Sequence, residues 1–132
     1  MIGLDTNVLV RFVTGDDPVQ SRLAERAIAD LSTDHPGYVT LITTAELTWA
    51  LRATYKMSRS QVSQVIRGLL ETQELVFEDS DMVARALQVA GQAGCDLADA
   101  LIALRAARAG CSSTITFDRR ASRILGMELL DE

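Results

Sequence analysis

Apolar and polar positions alternate along this chain in two rhythms. Short apolar runs are followed by longer stretches in which apolar residues recur with helical spacing, so the pattern predicts strands separated by helices. "IGLD" reads as a buried strand from Ile2 to Asp5, and Asn7 to Val13 as a short helix ended by Gly15. In "DDPVQSRLAERAIADL", Asp17 stands as an N-cap, Pro18 at the first helical position and Gln20 as the far half of a capping box. Leu23, Ala27, Ile28 and Leu31 form the apolar stripe of that helix, and "HPG" marks a turn. Tyr38 to Ile42 predicts a second strand. "TAELTWALRATY" predicts a helix with Leu47, Ala50 and Leu51 on one face, and Trp49 is read as core packing. Ser58 caps a helix through Leu70, Leu75 to Phe77 is a third strand, and Asp81 to Ala93 is helical. "GCDLADALIALRAARAG" is a helix closed by Gly110. Thr114 to Phe117 is a fourth strand, "RRASRIL" a short helix and Met127 to Leu130 a last strand.

Strands that alternate with helices imply a parallel sheet covered on both faces. The expected fold class is α/β: one three-layer α/β/α domain over residues 1–132, with strand order 3-2-1-4-5. In such sheets, ligands sit beyond the carboxyl ends of the strands, where strand order reverses.

Carboxylates collect at that rim. Asp5 ends the first strand and Asp118, in "TITFDRR", ends the fourth. Glu46 lies in the first turn of the helix after the second strand. Asp96 and Asp99 open "DLADALIALRAA", on the same side of its first turn. Each has a plainer reading. Asp96 is a natural N-cap, Asp99 and Glu46 are first-turn acids that a helix dipole favours, and Asp118 could cap "RRASRIL". Asp5 resists such a reading, because the residues before it look buried and an unpaired buried carboxylate is costly. Two carboxylates about 4 Å apart repel by about 4 kcal/mol at an effective dielectric near 20. A divalent cation removes that repulsion. Oxygen-only ligation points to Mg²⁺ or Mn²⁺, and two such ions about 4 Å apart can clamp both oxygens of a phosphodiester displacement. Thr6, Asn7 and Thr116 stand beside these acids. They could orient a carboxylate or a bound water, or serve only as caps and strand-end hydrogen-bonding groups.

Composition narrows the picture. Hydrophobic residues make up 48% and charged residues 23% of the 132, which suits a globular domain rather than disorder. The first apolar run is cut by Asp5 and Arg11, so it reads as neither signal peptide nor membrane span, and the cytoplasm is the expected location. Cys95 and Cys111 read as reduced, mostly buried thiols. With a single histidine, His35, in a turn, zinc is disfavoured. The net charge of −5, taken as a sum, argues against nucleic acid. Setting the five candidate acids aside leaves 13 acids against 13 bases, and bound cations would invert the local field. Arg119 and Arg120 follow Asp118 directly and could contact phosphates near bound cations, whereas Arg123 fits a solvated helix face and Arg11 either pairs with an acid or lies on the surface. With aromatics at 5%, no base-stacking platform is expected.

These residues carry a resemblance. "LDTNVLVR", "TTAELTWAL", "DLADALIALRAARAG" and "TITFDRR" resemble, in order and spacing, the acid-bearing segments of the PIN-domain nucleases, and within them the VapC toxins of bacterial toxin–antitoxin modules. The likeness spans nearly the whole chain. It implies a Mg²⁺- or Mn²⁺-dependent endoribonuclease that hydrolyses RNA phosphodiesters by a metal-activated water. It implies Asp5, Glu46, Asp99 and Asp118 as catalytic metal ligands and Asp96 as a secondary one. It also implies a homodimer and a small VapB-like antitoxin that inserts a segment into the site. Two alternatives stay open: a PIN nuclease acting in RNA processing or on DNA outside such a module, and a non-enzymatic metal- and RNA-binding module. A receiver domain is disfavoured because the one lysine, Lys56, follows a helix. A haloacid dehalogenase-type phosphatase is disfavoured because "DTNVL" lacks the second acid. Phosphate-binding glycine loops are absent.

Overall fold

The computed structural model describes residues 1–132. The elements run β1 (Ile2–Gly3), α1 (Thr6–Thr14), α2 (Pro18–Ala29), β2 (Gly37–Val39), α3 (Leu41–Ala53), α4 (Arg59–Leu70), β3 (Leu75–Phe77), α5 (Ser80–Ala93), α6 (Leu97–Arg108), β4 (Thr114–Thr116), a 3₁₀ turn (Ala121–Arg123) and β5 (Met127–Leu129). Every strand pairing is parallel. The result is the expected three-layer α/β/α class.

Side-chain caps set the boundaries. Asp5 opens α1 by accepting from the Thr6 N–H at 2.8 Å, and Gly15 closes it in the left-handed region at φ 64°. Asp17 opens α2 by accepting from the Val19 and Gln20 N–H groups, with Pro18 in the first turn. The reciprocal half of the expected capping box is not formed there. Gln20 Oε1 instead accepts from Arg11 Nε at 2.7 Å and ties α2 to α1. In α4 the box is complete, with Ser58 and Gln61 each capping the other's backbone. β2 stops at Val39, short of Ile42, because Thr40 Oγ1 accepts from the Thr43 N–H and starts α3 at Leu41. "RRASRIL" supplies only the 3₁₀ turn.

The strands form two sheets, β1-β2-β3 and β4-β5. The expected order 3-2-1-4-5 requires β1 to pair with β4, and that ladder is not formed. β1 has only two residues, and its segment hydrogen-bonds on one side, from Ile2 N–H to Pro36 O and from Leu4 N–H to Tyr38 O. Ile2 is 59% exposed and Ile115 on β4 is 62% exposed, so no burial draws those two edges together.

The core is built on Leu9, Val39, Leu47, Leu51, Ile66 and Val83, all fully buried. Burial departs from apolarity on two helices. On α3 the buried face is Thr43, Thr44, Leu47, Thr48 and Leu51. The threonines bury cheaply because their hydroxyls are satisfied. Thr44 Oγ1 donates to Thr40 O at 3.1 Å and Thr48 Oγ1 to Ala45 O at 2.8 Å. Trp49, expected in the core, is therefore left 67% exposed. On α2 the buried residues are Ser21 and Ala24, while Leu23 faces out. Cys95 is buried and Cys111 exposed, and both are free. No helix is long and apolar enough to cross a membrane.

Candidate active site

The acids singled out by the sequence lie just after strands and near helix starts. Asp5 is exposed, because the strand before it is itself exposed. The expected cost of a buried carboxylate does not arise there, and the Thr6 N–H already binds one of its oxygens. Thr6 reaches further: its hydroxyl donates to Glu46 Oε1 at 3.0 Å, joining the start of α1 to α3. Glu46 is exposed, and it sits in the second turn of α3 because that helix begins at Leu41. Asn7 is exposed in the first turn of α1.

Asp118 follows β4 and is also exposed. Its Oδ1 accepts from the Arg120 N–H at 2.8 Å and the Ala121 N–H at 3.1 Å, so it does cap the turn after it. Thr116 Oγ1 accepts from the Asp118 N–H at 3.0 Å. The Cys95 thiol donates to Arg120 O at 2.8 Å, which fastens the Asp118 turn to the segment that leads into α6. Burial pushes that thiol up, and the charge of Asp99 adds to the shift, so it stays protonated.

Asp99 is the one partly buried acid of the principal four. Burial pushes its carboxyl above the ordinary range. The charges of Asp96 and then Asp118 push the same way, and Arg59 offsets part of it. Asp96 sits at the N-cap position of α6 yet makes no capping hydrogen bond. Its Oδ1 accepts from Arg52 Nε at 3.1 Å and Arg59 Nε at 2.9 Å. Arg11 pairs away from these acids, with Asp16 at 3.3 Å.

Three participants escaped the sequence. Arg52 and Arg59 meet Asp96 across 44 and 37 residues, and no local spacing signals contacts of that range. Glu78, just after β3, accepts from the Leu41 N–H at 2.9 Å and caps α3. The strand-end pattern that marks Asp5 and Asp118 also marks it, in "LVFED".

The donor chemistry fits a hard divalent cation: every candidate ligand is a carboxylate oxygen. Burial and the charges of Asp96 and Asp118 disfavour the ionised Asp99 carboxylate, and such a cation would favour it. As arranged, however, no three acids stand close enough to hold an ion. The structure joins Asp5 and Glu46 through Thr6, and couples Asp99 to Asp118 through their charges. Arg119 and Arg120 are exposed beside Asp118 and enter none of the ion pairs.

The sequence matches the family model described as PIN domain over residues 2–126. No curated protein matches it significantly.

Proposed function

From the premise that this chain belongs to the PIN-domain family, whose members are in general metal-dependent nucleases, we propose that it is a Mg²⁺- or Mn²⁺-dependent endoribonuclease. In this reading it is the toxin of a VapBC-type pair, acts in the cytoplasm and works as a homodimer. The observation that carries the reading is Asp99: a partly buried carboxyl in the first turn of α6, pushed above its ordinary range by burial first and then by the charges of Asp96 and Asp118.

Asp5, Glu46, Asp99 and Asp118 would hold the cation, with Asp96 behind Asp99 as a secondary acid. When bound, the cation supplies a Lewis acid that activates water and stabilises charge on the phosphodiester. Thr6 fixes one oxygen of Glu46 and leaves the other free to ligate. Thr116 and Cys95 hold the turn that presents Asp118. Arg119 and Arg120 bind phosphates of the RNA strand. No covalent nucleophile is needed. Cys95 is buried and protonated, and His35 precedes β2, at the end of that strand away from the acids. Exposed apolar side chains, Phe12, Val19 and Leu23 on α1 and α2 and Ile115, Phe117 and Leu125 around β4, offer surfaces to the antitoxin and to a second copy.

The test is cleavage of total and structured RNA by the chain purified free of partners. Cleavage is expected with Mg²⁺ or Mn²⁺ and none with EDTA, and Asp5→Asn and Asp99→Asn should each lose about a hundredfold or more. Cleavage that survives EDTA or both substitutions contradicts the metal mechanism. A folded, ion-loaded chain that cuts no RNA leaves the non-enzymatic reading.

A further inference from the structure

Beside the acidic rim lies a groove of about 380 Å³, walled by α3, α4, α5 and the segment that leads into α6. The nuclease reading uses only its Cys95 and Asp96 edge. Its charge is opposite in sign to that of the chain. Arg52, Arg59 and Arg67 line it against the single carboxylate of Asp96, in a protein of net charge −5. Arg52 is spent on structure: Nε donates to Asp96 and Nη1 to Met57 O at 2.8 Å. Arg59 uses only Nε on Asp96, and Arg67 enters no ion pair. Their remaining N–H groups are free for an anion.

Trp49, 67% exposed, also lines the groove. It stands three residues beyond Glu46, on the same side of α3 and one turn along. Asp96, which also lines the groove, precedes Asp99 by three residues. The groove therefore meets the acidic rim at two edges. Gln64 adds an amide that both donates and accepts.

An open aromatic face, free guanidiniums and an amide together suit an unstacked nucleotide. The base stacks on the ring, phosphates meet the arginines and the amide reads a base edge. Continuity with the acids favours a nucleic-acid strand over a peptide, because a strand laid across the acids runs on into the groove. We infer that this groove binds one nucleotide of the RNA strand flanking the cleaved bond, its base stacked on Trp49 and its phosphates held by Arg59 and Arg67. The subsite presupposes the nuclease reading and adds to it a determinant of sequence preference.

Trp49 is the only tryptophan, so its emission reports on this groove. The full chain in EDTA is titrated with a short single-stranded RNA of mixed sequence while emission is followed. The anisotropy of the same RNA carrying fluorescein is followed in parallel. Emission should fall and anisotropy rise with one midpoint. Trp49→Ala should weaken binding roughly ten- to a hundredfold, and Trp49→Phe should restore most of it. Arg67→Ala should weaken binding and lower the salt slope by about one. Both side chains are exposed, so the variants should keep the parent's thermal midpoint. RNA that binds with Trp49 emission unchanged, and equally well to Trp49→Ala, overturns the subsite and leaves the nuclease reading standing. A Trp49→Ala chain that changes elution volume but not RNA affinity also overturns it and assigns the groove to a second copy. If no RNA is bound, and none is cut in Mn²⁺, the nuclease reading falls and the subsite with it.

Discussion

Asp99 sits in a conflict that folding creates and a cation would resolve. Its carboxyl is raised above the ordinary 3.8 by burial first, and then by Asp96 and Asp118. A carboxyl raised in the folded state binds more protons there than in the unfolded chain. Stability therefore falls as pH climbs from 3.8 through the raised value, and stays lowered beyond it. Asp99→Asn is expected to raise the thermal midpoint of the ion-free chain at neutral pH, with the gain fading as pH drops to 3.8. The same substitution should abolish the stabilisation that Mg²⁺ or Mn²⁺ gives the parent. Thermal scans with EDTA or excess ion check both, and a lowered ion-free midpoint would contradict them. Asp16 shows the opposite case. The hydrogen bond from the Tyr55 hydroxyl holds its carboxyl below the ordinary range, so its contribution is present above the unfolded value and lost as pH falls through the lowered one. At this scale the sequence showed which acids follow strands. It offered the cap at Asp118 as a rival reading and missed the one at Asp5, because a cap and a ligand use the same carboxylate in the same place.

At the scale of elements, helix starts were the most legible feature. Asp17 with Pro18, and Ser58, open helices where local chemistry puts them, and Gly15 ends one. Leu75–Phe77 likewise matches its prediction. Helix faces were less legible. Apolarity alone aims Trp49 inward, yet α3 buries Thr44 and Thr48, whose hydroxyls bond to backbone carbonyls of their own helix. Contacts between elements were not legible at all, as the pairing of Asp96 with Arg52 and Arg59 shows. That pairing joins the starts of α4 and α6 to the last turn of α3. The three side chains are 31% to 43% exposed, so solvent screens the attraction. Asp96→Asn is expected to lower stability by about 1 kcal/mol at low salt and by less at high salt. Denaturant titrations at two ionic strengths measure this. A loss that does not shrink with salt would mean that packing, not charge, holds these helix ends.

For the molecule as a whole, periodicity sufficed to establish an α/β chain with parallel strands. The order of strands at the middle of the sheet was beyond it, because a two-residue β1 and an exposed Ile115 give neither edge a reason to close. The same openness bears on function. Asp5 and Glu46 belong to the half of the fold that carries β1, and Asp118 follows β4 in the other half. Three of the four principal acids are exposed, each with one oxygen in a hydrogen bond, and no three are gathered. A shared cation would then draw together acids that follow the two different sheets. Anomalous diffraction from crystals grown with Mn²⁺ tests this most directly. The predicted result is a manganese peak bound by carboxylate oxygens of Asp99 and Asp118 together with Asp5 or Glu46. A peak only at other surface acids, or none under conditions in which the chain cuts RNA, would contradict it.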